Sequence, residues 1–137
     1  MSITEEAGAL AEFALRHAVT SIVPGGGPLI PFVIVEAGGK HTLHQFMGDL
    51  LEECEANARA FAARQKNANR VALAIDGYIR IDGHRWDALV AEASDRGSDK
   101  SVIIAQRYRE DLGPLGSPPA TMPVGDQIIL GEGTPLY

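Results

Sequence analysis

Only one cysteine, Cys54, occurs in this 137-residue chain. That scarcity excludes an intramolecular disulfide and any zinc site built on several thiolates, and it fits a reducing compartment, so a cytoplasmic location is expected. Long apolar runs are missing too. The longest, Leu29 to Val35, contains Pro31 and falls far short of the roughly 20 residues a membrane-spanning helix needs. No base precedes Glu5, Glu6 and Glu12, so no secretory leader is expected. Also absent are GxSxG, HExxH and Cys-x-x-Cys, and no Asp or Glu is followed two residues later by Lys. The common hydrolase and metalloprotease signatures are therefore lacking.

Charge is unevenly placed. The formal net charge is −6, yet the segment 70–109 holds 7 bases against 6 acids, and 110–137 holds 4 acids and no base. A net acidic chain repels phosphates at long range, which disfavours nucleic acid and anionic membranes as partners. Apolar residues are 45% of the chain and charged residues 22%, a globular composition able to fold as one domain.

The elements follow from periodicity. Leu10, Ala14, His17 and Ala18 recur at helical spacing, predicting a helix from about Ser2 to Thr20, and Ser2 with Glu5 has capping-box spacing. Pro24-Gly25-Gly26-Gly27-Pro28 breaks the chain. Its order, helix then glycines then strand, is the reverse of a phosphate-binding loop. Leu29 to Val35 reads as a strand covered on both faces. A three-residue loop through Gly38-Gly39 is expected to place Glu36 opposite Lys40, with a return strand from Lys40 to about Met47. A second helix is predicted near Asp49, with Asp49 and Glu52 as its capping box and Leu51, Cys54, Ala58, Phe61 and Ala62 as its apolar stripe. Cys54 then belongs to that stripe as a small hydrophobe.

The run Val71, Leu73, Ile75, Ile79, Ile81 alternates with Asp76, Tyr78, Arg80, Asp82, as a half-buried strand does. Asp82-Gly83 is a strong hairpin signal. A turn there sets Ile81 opposite His84, Ile79 opposite Trp86 and Ile75 opposite Val90, making Trp86 a core residue and Gly77 a bulge or kink. Ser101 to about Arg109 forms a further strand. The segment 111–137 contains 5 prolines and 5 glycines, and only Gln127 to Leu130 within it reads as a strand.

The expected architecture is α+β: two helices on one face of a mainly antiparallel sheet, in the order α-β-β-α-β-β-β. Residues 1–110 form the single domain. The Pro/Gly-rich tail 111–137, with its one short strand, docks on that domain or on a partner, and it is expected to help form a homodimer.

Two sets of residues are candidates for function. Tyr78, Arg80, Arg85, Asp87, Arg107 and Arg109 are expected to share the sheet face opposite the core, an Arg- and Tyr-rich surface suited to protein contacts. His44, Asp76 and Glu92 are the alternative, the polar groups of a pocket between helices and sheet in a small enzyme or ligand-binding protein. Glu92 falls opposite Leu73, so it is either a strand end reaching solvent or a buried acid with a partner. His41 and His44, three apart on a strand, point to opposite faces and cannot chelate one ion, so neither metal nor cofactor is expected. The reading that results is a non-enzymatic binding or accessory domain acting on a protein partner or on itself.

Overall fold

The computed structural model describes residues 3–137. In chain order it contains α1 (Glu5–Ile22), β1 (Phe32–Ala37), β2 (Lys40–Gln45), α2 (Leu51–Ala63), β3 (Arg70–Ile81), β4 (His84–Asp95), β5 (Ser101–Asp111) and β6 (Ala120–Gly133). The strands make one sheet in the order β2-β1-β3-β4-β5-β6, and every neighbouring pair is antiparallel. No helix among the described residues is long and apolar enough to cross a membrane.

Two tight turns set the registers. Asp82 and Gly83 take φ of 50° and 77°, the geometry of a two-residue hairpin turn. The predicted partners Ile81–His84, Ile79–Trp86 and Ile75–Val90 are all found. Gly77 pairs in step with Ala88, so the expected bulge there is absent. At the first hairpin the loop is one residue shorter than expected. Ala37 pairs with Lys40 and Glu36 with His41, because Gly38 and Gly39 both adopt positive φ and two such residues complete the turn.

Helix starts also differ. Thr4 caps α1, its Oγ1 accepting from the Ala7 N–H at 3.1 Å; Ser2, the expected cap, lies outside the described residues. Leu50 occupies the N-cap of α2 without a side-chain bond, so Asp49 and Glu52 do not form the capping box. Thr4 Oγ1 donates to Asp95 at 2.9 Å, and Arg70 bridges Asp95 and Glu36. Burial opposes the charge of Arg70, but these two carboxylates outweigh it and hold its pKa above the usual value. This network ties the start of α1 to β1, β3 and β4.

The helices lie on opposite faces, not on one. Leu10, Ala14, Leu15, Ala18 and Ile22 of α1 pack on Phe32, Ile34, Ala72, Ala74, Leu89, Ala91 and Ile104. Ala58 and Ala62 of α2 pack on Val33, Val35, Val71 and Leu73, the alternate parity. The expectation failed because Asp76, Tyr78 and Arg80 made their parity look solvated. Nearer the start of β3 that parity is Ala72 and Ala74, whose small side chains admit α1.

The tail is also more regular than its composition predicts. Instead of four strand residues, β6 spans fourteen, and it pairs with β5 of the same chain. As an edge strand it tolerates Pro123, whose missing N–H need serve no further neighbour. Two register shifts accommodate the glycines. At the larger one the Gln106 side-chain amide donates to the carbonyls of Val124 and Gly125, each at 3.1 Å. After β6 the chain returns to the α2 face. There Leu136 is buried, its N–H bonds Ser94 Oγ at 3.0 Å, and Tyr137 Oη donates to the Ala68 carbonyl.

Candidate functional site

β1 and β3 differ in length, and the difference creates the site. β1 accompanies β3 only from Arg70 to Ala74. From Ile75 to Ile81, β3 has β4 on one side and, among the described residues, no strand on the other. Pro31 and Pro28 precede β1, and proline cannot donate to a ladder, so β1 does not extend along its neighbour. The registers identify the unused groups. Residues flanking a two-residue turn exchange both hydrogen bonds, and the pattern alternates from there. Ile81, Ile79, Gly77 and Ile75 therefore bond to β4, leaving the N–H and C=O of Tyr78 and Arg80 directed at the open side.

A cleft of ≈ 690 Å³ follows this edge, bounded by Gly27 and Pro28, by the first turns of α2, and by Tyr108 and Thr121. Its size is that of a ligand pocket. Five carboxylates line it, from Glu52, Glu55, Asp76, Asp87 and Glu110, against one cation, Arg85. Asp76 is occupied by the fold itself. Oδ1 accepts from Tyr108 Oη at 2.6 Å and Oδ2 from the Leu29 N–H at 2.8 Å. Burial first, then Asp76, raises the Tyr108 pKa well above its ordinary value, so the hydroxyl keeps its proton and donates. Glu52, Asp87 and Glu110 are exposed. At Gly77 a Cβ would meet no atom within 4 Å, so the cleft has room for a side chain at that point.

The expected Arg- and Tyr-rich face is divided between the two sides of the sheet. Tyr78 pairs with Asp87 and Arg80 with Arg85, and the Arg85 guanidinium stacks 4.1 Å from the centroid of the Tyr78 ring. Arg107 pairs with Ala88, which places it on the other side. There it lies over Trp86 at 4.9 Å, with its buried Nε lacking a hydrogen-bond partner among the described residues. Arg109, two residues on, shares that side and bonds Asp111 at 2.8 Å. The strand order β4-β5 offsets the two strands so that odd residues of β5 face even residues of β4, a relation invisible without the register.

The alternative groups are not brought together. Asp76 lines the cleft. Glu92 is 8% exposed beneath α2 and pairs with Arg59 at 2.8 Å, which makes it the buried acid with a partner. His44 is on exposed β2, its ring 4.6 Å from that of Phe61, whereas His41 packs on Phe13 of α1. The two histidines thus lie on opposite faces, as their spacing requires. Cys54 is buried. Among the described residues, no three His, Cys, Asp or Glu side chains converge to hold a metal. Sequence reasoning missed the open edge and the acids Glu52, Glu55 and Glu110 around it; the prolines before β1 were the available signal. Comparison with protein-family models, with curated proteins and with solved structures finds no match to this chain.

Proposed function

We propose that this domain is a non-enzymatic, cytoplasmic binding or accessory module acting through protein contacts, with the unpaired run of β3 as its docking site. The observation that carries the reading is the seven-residue overhang of β3 beyond β1. Unpaired main-chain donors and acceptors on a strand edge are a template for an added strand. Most exposed edges are blunted by bulges or proline, as β6 is here by Pro123 and two register shifts. The β3 edge has neither, and its Tyr78 side chain is 53% exposed. The cleft around it supports binding more than acid–base work, since both Asp76 oxygens already accept bonds within the fold.

The test is selection from a displayed library of random seven-residue peptides against the protein and against Tyr78→Pro, which lacks the edge N–H. Enrichment that disappears in the proline variant supports the reading. No enrichment, or enrichment that survives the substitution, ends it.

A second reading, self-association through the tail, has its own observation: Ile129 is 77% and Leu130 45% exposed on β6. Sedimentation of the full chain decides it, and a monomer at high concentration excludes the homodimer.

A further inference from the structure

We infer that the segment received by β3 is an extended basic one, in which Lys or Arg alternates with small apolar residues. This rests on the reading of the β3 edge as a docking site and specifies its partner. A strand added beside Ile75–Ile81 sends alternate side chains to the two faces of the sheet. Side chains of one parity enter the face of Asp76 and Tyr78, where Asp87 and Glu110 line the cleft. A lysine or arginine stem lies along apolar surface while its charged end reaches such acids. Side chains of the other parity fall beside Ile75, Val90 and the empty position over Gly77, on the side of the sheet that α2 covers, where a valine or alanine fits the apolar floor. Glu52 and Glu55 on α2 form the remaining wall.

Charge complementarity favours this occupant. Five carboxylates and one cation line the cleft, and the cation, Arg85, is engaged with Tyr78. Glu52, Asp87 and Glu110 enter none of the ion pairs among the described residues. An acidic segment would add like charges at short range, which costs affinity and suppresses wrong partners. The stacked Arg85 also shows that the exposed Tyr78 ring accepts a guanidinium, as aromatic faces do. The open run is about 20 Å long at 3.3 Å per residue, enough for six or seven partner residues.

Three capped heptapeptides of alternating sequence, Lys/Val, Thr/Val and Glu/Val, test the inference by fluorescence anisotropy with the full chain. The Lys/Val peptide is expected to bind at least tenfold tighter than Thr/Val, and Glu/Val to bind weakest. The Lys/Val advantage should shrink at least fivefold in Asp87→Lys/Glu110→Lys and fall with added salt. All binding should be lost in Tyr78→Pro. Because proline also alters the strand backbone, Gly77→Phe, whose Cβ meets no atom within 4 Å among the described residues and whose ring occupies the cleft, serves as the second block and is expected to abolish binding too. Equal binding of Thr/Val and Lys/Val overturns the basic partner while leaving strand addition intact. Failure of all three peptides, together with an unenriched library, removes both.

Discussion

Arg59 on α2 reaches Glu92 on β4 across 2.8 Å, and this contact clasps the helix to the sheet over a carboxylate that is almost fully enclosed. Arg59 also approaches Glu55, one turn before it, at 3.6 Å. Its own side chain is 44% exposed, so solvent screens the pair on one side only.

Removing the cation alone leaves a buried charge without a partner. Arg59→Ala is expected to lower stability by about 1–3 kcal/mol, the range for stranding a buried polar group. Replacing both partners by apolar residues of similar volume, Arg59→Met/Glu92→Leu, is expected to restore most of that loss. Urea midpoints of Arg59→Met, Glu92→Leu and the double variant, beside Arg59→Ala, measure it. A double variant as weak as the summed singles would show that the two side chains do not interact.

Gln106 gives the second prediction. It is 7% exposed, and its amide is the donor for the carbonyls of Arg107, Val124 and Gly125. Gln106→Leu and Gln106→Glu both lack that donor and should cost about 1–3 kcal/mol. The loss should be local before it is global, with the amides of β6 exchanging faster than those of β3 and β4. Unchanged exchange in β6 would mean that the glycines hold the irregularity without help.

What the sequence made legible here is what short-range chemistry controls. Asp82-Gly83 dictates a turn, the turn dictates a register, and twelve strand pairs of β3 and β4 follow. The stripe of α2 is equally local. The faces of the helices were not legible, because alanine at 72, 74, 91 and 93 carries no clear signal, yet these residues form the floor beneath α1. β6 was hidden by its prolines and glycines, whose meaning changes at a sheet edge. The site was hidden for a different reason. It arises where β3 outruns β1, and that comparison requires knowing that the two strands are neighbours.

Trp86 shows how a correct register can still misjudge energetics. It does lie opposite Ile79, and it packs in a small cluster with Ile79, Ala88 and Ala105. Among the described residues no helix joins that cluster, and the indole is only partly buried, between His84 and Arg107. Full burial implies about 3–5 kcal/mol for truncation to alanine, and partial burial brings the expectation to about 1–3 kcal/mol. Chemical denaturation of Trp86→Ala, followed by circular dichroism, checks it. A loss above about 4 kcal/mol would show that this cluster, though small, is a principal core.

The last prediction concerns alkaline pH. Tyr108 and Tyr137 both have pKa values raised in the folded state, by burial first and then by Asp76 for Tyr108 and by Asp95 for Tyr137, which is pushed up to about 12. An unfolded tyrosine ionises near pH 10. A group whose folded pKa is raised contributes stability that is complete below the unfolded value and lost as pH climbs through the folded one, since the unfolded chain gives up its proton first. Stability should therefore be flat in this respect below about pH 10 and decline between about pH 10 and 12. Urea midpoints across that window should fall more steeply for the wild type than for Tyr108→Phe/Tyr137→Phe. The double variant should start lower at neutral pH, because it gives up the bonds to Asp76 and to the Ala68 carbonyl. Tyrosinate absorbance offers an independent reading: part of it should emerge only as the protein unfolds. If the decline is equally steep without the two hydroxyls, other groups govern the alkaline limit and the bond between Tyr108 and Asp76 is not what keeps that wall of the cleft in place.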